Sequence, residues 1–128
     1  YMLKCLRSYD FIDSLGHIDY IARYARFADP EVYYEEYREL IDQVLLILAE
    51  RHKAIEINTR RLNSRKAVQV LMAICKRYYE LGGRLATIGS DAHVPQDIAK
   101  LYNTGMDIAA ACKLKAVYFK NRRPEYVR

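Results

Sequence analysis

The sequence predicts an α/β fold in which a mostly parallel sheet is covered by helices. Short apolar runs alternate with longer segments of helical period along the 128 residues, in the order β-α-β-α-β-α-β. The strand runs are almost continuously apolar, which is typical of parallel strands buried on both faces. Polar clusters follow the strands, at the edge where α/β proteins build their active sites. A whole barrel of this class needs roughly 250 residues, so the chain would supply about half of one.

The composition and charge limit the class of protein. Hydrophobic residues form 52% of the chain, which is enough for a packed core and argues against disorder. No apolar run approaches the ~20 residues of a membrane span, and the N-terminus lacks the apolar stretch of a signal peptide. The net charge of +5 permits a nucleic acid or a phosphorylated substrate as partner. Cys5, Cys75 and Cys112 are scattered and odd in number, which predicts free buried thiols in a cytoplasmic protein.

The first half of the chain predicts two helices and two strands. Residues 1–8 have the pattern of the last turns of a helix, a short strand follows around 14–16, and residues 19–28 form a short helix or a loop. Residues 29–52 predict one long helix, which Asp29 can cap and in which Pro30 suits the first turn. Residues 54–58, "AIEIN", form the next strand. The apolar stripe of the long helix consists of Tyr37, Leu40, Ile41, Val44, Leu45 and Leu48.

The second half predicts a further helix, two strands and two short helical segments. Residues 64–83 form the helix, with Ser64 as its cap and the pair Gly82–Gly83 as its stop. Residues 84–89 form a strand, residues 95–105 and 106–114 form the two short helical segments, and residues 116–119 form the last strand. The buried face of the helix is predicted from Val68, Leu71, Ile74, Cys75 and Tyr78.

Metal-ligand side chains follow successive strands. Asp91 and His93 are two residues apart after the third strand, and an extended backbone would turn both side chains the same way. A carboxylate and an imidazole suit zinc, manganese or iron. In isolation, such a pair is more often a helix cap and a surface histidine. His17 directly follows the first strand and Glu56 lies in the second, and this repetition favours a shared site; Asp19 could orient His17 or cap a helix.

Arginines gather at the same predicted edge. Arg23 lies six residues after His17, and Arg60, Arg61 and Arg65 follow the second strand. Guanidinium groups bind phosphate through paired hydrogen bonds, so at least one phosphate contact is favoured. The alternative is a solvated loop that leads into the next helix.

Four stretches resemble a known family: "LGHIDYIARYA", "IEINT", "ELGGRLATIGSDAH" and "YFKNRRP". Together they resemble the C-terminal half of the polymerase-and-histidinol-phosphatase (PHP) superfamily, most closely its monofunctional histidinol phosphatases, from about Tyr9 to the C-terminus. The resemblance implies a distorted (β/α)₇ barrel with a three-ion metal cluster at the C-terminal ends of its strands. It also implies hydrolysis of a small phosphorylated substrate, histidinol phosphate, by a metal-activated hydroxide.

The resemblance also implies roles for individual residues. His17, Asp91 and His93 would be metal ligands. Asp91 and His93 would also be catalytic residues, and Asp91 would orient the hydroxide or pass a proton to the leaving alkoxide. Arg23 would be the main phosphate contact, with Arg61 and Arg65 behind it. The residues that would hold these groups in place are Glu56, Asn58 and Asp19.

Two departures from the family pattern leave alternatives open. The family's first His-x-His motif is absent, so residues 1–128 are expected to be the C-terminal part of one domain, and their exposed edges to favour dimerisation. Arg60 and Arg61 stand where the family tends to carry small residues. A related phosphoesterase for nucleotides or nucleic acids, or an inactive half-barrel, are the other hypotheses. Nucleic acid is disfavoured because the sequence offers no basic stripe or stacking platform.

Overall fold

The protein is built on a five-stranded sheet in which four strands run parallel. The computed structural model describes residues 1–127. The strands are β1 (Ser14–Leu15), β2 (Ala54–Asn58), β3 (Leu85–Gly89), β4 (Lys115–Lys120) and β5 (Arg123–Tyr126). They lie side by side in chain order; β1 to β4 are parallel and β5 is antiparallel to β4. The predicted parallel α/β fold is confirmed, whereas closure into a barrel stays a prediction, because no pairing joins β1 to β5 within residues 1–127.

Four α-helices accompany the sheet: α1 (Met2–Ser8), α2 (Arg38–Glu50), α3 (Arg65–Glu80) and α4 (Tyr102–Ala111). The predicted caps of α3 are confirmed. The Ser64 side chain accepts the Ala67 N–H at 3.3 Å, and Gly82 follows the helix with a φ of 101°, which favours glycine. Single 3₁₀ turns lie at Tyr20–Arg23 and Pro95–Asp97.

The long helix predicted for residues 29–52 begins nine residues late, at Arg38. Asp29 caps no helix because its carboxylate accepts hydrogen bonds from the Tyr33 hydroxyl at 3.0 Å and the Lys66 ammonium at 2.7 Å. A tertiary contact to Lys66 and a local contact to Tyr33 therefore replace a helix N-cap in this segment. On α2 the inner part of the predicted stripe is buried, but Tyr37 and Leu40 remain exposed.

The two predicted segments 95–105 and 106–114 are also corrected. The α-helix α4 runs without a break through Gly105, and only a 3₁₀ turn precedes it. A Cβ on Gly105 would lie 2.8 Å from Cγ2 of Ile88 and 3.0 Å from Cγ2 of Thr59. The glycine thus allows the helix to approach the sheet closely; it does not end the helix.

The core lies between one face of the sheet and the helices. Ile55, Ile57 and Ala86 are fully buried on that face, and they pack against apolar side chains of α2, α3 and α4. Cys75 and Cys112 are buried as predicted, and Cys5 is partly buried; all three are free thiols. Within residues 1–127, no helix is long and apolar enough to cross a membrane.

Candidate active site

The carboxyl ends of β1, β2 and β3 bring the predicted polar clusters together, as parallel strands should. A small pocket of about 20 Å³ opens among them, which is room for one water molecule. His17 and Asp91 each follow a strand end with a positive φ, 55° and 51° respectively, so the chain turns sharply at both residues. The pocket is lined by His17, Asp19, Tyr20, Arg23, Asn58, Arg60, Arg61 and Asp91.

Glu56 holds His17 in place from the middle strand. Its Oε2 accepts the backbone N–H of His17 at 3.0 Å and lies 3.8 Å from the imidazole Nδ1. The Asn58 amide nitrogen lies 3.2 Å from the same Nδ1. Gly16 and Gly89 flank the Glu56 carboxylate, and neither carries a side chain that would displace it. Glu56 and Asn58 therefore fix both the backbone and the ring of His17.

Arg23 and Asp91 form a short ion pair across the pocket. Nη1 of Arg23 donates to Oδ2 of Asp91 at 2.7 Å, and only 25% and 17% of the two side chains is exposed. Oδ1 of Asp91 accepts no hydrogen bond within the described chain. This second carboxylate oxygen lies 3.7 Å from Nδ1 of His93, so Asp91 keeps one oxygen without a hydrogen bond beside a predicted metal ligand.

Arg60 is a member of the site that the sequence analysis left out of its phosphate-binding set. Its Nη1 donates to the Asp91 carbonyl at 2.7 Å, lies 2.9 Å from Nδ1 of His93, and is 3.9 Å from Oδ2 of Asp91. His93 itself is 62% exposed, and its Nδ1 lies 2.8 Å from the Asp91 carbonyl oxygen. The side chains of adjacent residues after a strand point in different directions. The sequence pattern alone therefore did not reveal that Arg60, rather than Arg61, contacts Asp91 and His93.

Arg61 also lines the pocket, but its guanidinium is bound in an ion cluster that is mostly buried. Its two terminal nitrogens bind Oδ2 of Asp19 at 3.0 Å and Oε1 of Glu31 at 2.5 Å. Asp19 therefore pairs with an arginine; it does not contact the ring of His17. Arg65 is exposed at the start of α3 and does not line the pocket. The roles predicted for Arg61 and Arg65 in phosphate binding stay predictions.

The predicted metal ligands are near one another but are held by other partners. Within residues 1–127, no group of three histidine, cysteine, aspartate or glutamate side chains is arranged to hold a metal ion. Asp91 is paired with Arg23, and His93 contacts Arg60. The donor types suit zinc, but in this part of the chain they are not grouped as the three or four protein ligands of a usual zinc site.

Sequence comparison relates this chain to known phosphatases. The chain is 50% identical over 125 residues to a probable histidinol-phosphatase of Clostridium acetobutylicum. The chain is related to histidinol-phosphatases. That match covers 98% of this chain and 49% of the relative, so the chain spans about half the length of the curated relatives it matches. A probable histidinol-phosphatase of Thermotoga maritima is 44% identical over 87 residues, 68% of this chain and 35% of the relative. No family model matches the chain.

The fold also matches a solved structure. Histidinol phosphate phosphatase from Lactococcus lactis, crystallised with zinc, L-histidinol and phosphate, superimposes with a TM-score of 0.83 at 26% identity. The match covers 97% of this chain and 48% of that protein. Nearly the whole of residues 1–127 therefore has the architecture of about half of that phosphatase.

Proposed function

We propose that this chain supplies part of the active site of a histidinol-phosphatase, which hydrolyses histidinol phosphate to histidinol and inorganic phosphate. The observation that carries the proposal is the arrangement of Arg23, Arg60 and Asp91 around one pocket at the carboxyl edge of the sheet. Guanidinium groups on either side of a carboxylate suit a site that takes both a phosphoryl group and a cation. The relatedness to histidinol-phosphatases supports the choice of substrate.

Divalent metal ions are part of the proposal. His17, Asp91 and His93 would hold them, together with ligands from outside residues 1–127, because the imidazole and carboxylate donors fit zinc in type but are not grouped as a set of three within the described residues. A bound ion would supply an activated hydroxide near neutral pH and polarise the phosphoryl oxygens. The three-ion cluster, a choice of manganese or iron in place of zinc, and a cytoplasmic location stay predictions.

The residues of this chain would act on the phosphoryl group as follows. Arg23 and Arg60 would donate to its oxygens and balance the negative charge that accumulates in the transition state. The free Oδ1 of Asp91 is placed to accept a proton from an attacking water molecule or to hold a cation. Glu56 and Asn58 would keep His17 oriented throughout.

The test is phosphate release from histidinol phosphate by the intact protein, meaning the complete phosphatase of which residues 1–128 are proposed to form a part. We expect Arg23→Met and Arg60→Met each to lower kcat/KM by about 100-fold, the range for loss of one charge-stabilising donor. Arg26→Met is the matched control, because Arg26 is exposed and forms no hydrogen bond or ion pair within the described residues. Equal rates for all three variants, or no release by the wild type in the presence of zinc or manganese, would contradict the proposal.

A further inference from the structure

The segment between β1 and α2 carries two of the site residues on almost no regular structure. Residues 16–37 contain only the 3₁₀ turn Tyr20–Arg23, yet they place His17 and Arg23 at the pocket. Irregular segments of this length move unless specific contacts fix them. The contacts that hold this segment in place therefore determine where His17 and Arg23 lie.

Arg61 makes two of these contacts. Asp19 lies near the start of the segment and Glu31 lies twelve residues further on, and both carboxylates bind the one guanidinium. The side chains of Arg61, Asp19 and Glu31 are 22%, 17% and 5% exposed, so solvent screens these charges only weakly. A single rigid group therefore clamps the two ends of the stretch that contains Arg23.

The backbone that carries Arg61 is itself firmly held. Thr59 is 1% exposed, its N–H donates to the Gly89 carbonyl at 2.8 Å, and its hydroxyl donates to the Lys100 carbonyl at 2.6 Å. Leu62 is buried on the other side of Arg61. The guanidinium thus extends from an anchored turn toward a segment that Glu56 and Asp91 also hold, at His17 and Arg23 respectively.

We propose that Arg61 is a positioning residue, which with Asp19 and Glu31 holds the segment that presents His17 and Arg23. The proposal rests on the proposed phosphatase function for its substrate, but its geometry is independent of it. Both terminal nitrogens of Arg61 are bound to carboxylates, so Asp19 and Glu31 fix the orientation of its guanidinium. Oε2 of Glu31 is buried and has no hydrogen-bond partner within residues 1–127, so Arg61 is the cation that compensates Glu31 there.

The decisive experiment compares Arg61→Met and Glu31→Gln in the intact protein, with inorganic phosphate as the probe and calorimetry as the readout. Both substitutions loosen the clamp, so we expect both to raise the Kd for phosphate, by about tenfold. If Arg61 were a phosphate ligand restrained by Glu31, Glu31→Gln would release it and tighten phosphate binding. That opposite sign would overturn the proposal.

A double-mutant cycle and hydrogen exchange complete the test. The double variant Arg61→Met/Arg23→Met should bind phosphate no more weakly than Arg23→Met alone, whereas independent phosphate contacts would give multiplied losses. Amide exchange across residues 17–24 should accelerate in Arg61→Met and stay unchanged in the control Arg26→Met. The exchange result decides the positioning role even if the wild-type protein proves not to bind phosphate, and unchanged exchange in Arg61→Met would refute it.

Discussion

Replacing Gly89 with alanine should displace the carboxylate that orients His17. A Cβ at this position would lie 2.5 Å from Oε1 of Glu56 and 3.3 Å from its Cδ, whereas ordinary contacts begin near 3.4 Å. The carboxylate would have to move by about 1 Å, which would break the hydrogen bond that it accepts from the His17 N–H at 3.0 Å. Loss of a hydrogen bond to a charged acceptor in a side chain that is 20% exposed costs about 1.5–3 kcal/mol of unfolding free energy.

Gly16→Ala provides the graded control for this prediction. Its Cβ would lie 3.2 Å from Oε2 of Glu56, a contact that a shift of a few tenths of an ångström relieves. Urea denaturation of the intact protein should therefore show Gly89→Ala to be clearly less stable than Gly16→Ala. The double variant Gly89→Ala/Glu56→Asp, whose carboxylate is one methylene shorter, should recover part of the loss. Equal stability of Gly89→Ala and Gly16→Ala would refute the reasoning.

Three further predictions concern stability and metal. The hydrogen bonds from Arg77 to Asp42 lower the pKa of that carboxyl, so its contribution is present above the ordinary value near 4 and is lost as the pH falls through the lowered value. Asp42→Asn should therefore cost about 1–2 kcal/mol at pH 7 and flatten the acid limb of a pH–stability curve. Burial raises the pKa of Tyr78 to about 12, so the unfolding free energy should fall as the pH rises above 10. Tyr78→Phe should abolish this alkaline loss. It also removes the hydrogen bond to the Lys53 carbonyl, so thermal unfolding near neutral pH should show a cost of about 1–2 kcal/mol. Residues 1–128 alone should bind zinc weakly and release negligible phosphate from histidinol phosphate; stoichiometric tight binding of two or more ions with turnover would contradict this.

The sequence predicted the elements whose signals are local. The strand β2 was placed at its observed bounds, and α3 starts one residue after its predicted start and ends three residues before its predicted end, because an apolar run, a serine cap and a glycine stop are read from the neighbouring residues themselves. The strand β5 was missed because Pro124 argues against a strand; β5 lies at the sheet edge, where proline is tolerated. The start of α2 was misplaced because one partner of Asp29, the Lys66 ammonium, comes from elsewhere in the fold.

The site was predictable in its position and less so in its contacts. That His17, Glu56 and Asp91 share one edge follows from parallel strands that each end in a polar cluster. Which partners the two adjacent arginines bind depends on the turn that Thr59 anchors across the sheet, and no short-range pattern encodes that turn. Both Arg60 and Arg61 line the pocket, and only the folded structure shows that Arg61 is bound to two carboxylates whereas Arg60 contacts the loop after β3.

The ion pair between Arg23 and Asp91 is compatible with both a cation and a phosphate bound at this edge of the sheet. Arg23 uses only Nη1 on Oδ2 of Asp91, and its other N–H groups form no hydrogen bond within the described residues. Asp91 in turn keeps Oδ1 free for a cation. Because a guanidinium offers five donors in a fixed plane, Arg23 can hold the carboxylate with one edge while the other edge donates to a phosphoryl oxygen. The pair would then set Arg23 in its binding orientation before substrate arrives, so loss of the Asp91 carboxylate should weaken phosphate binding as well as cation binding.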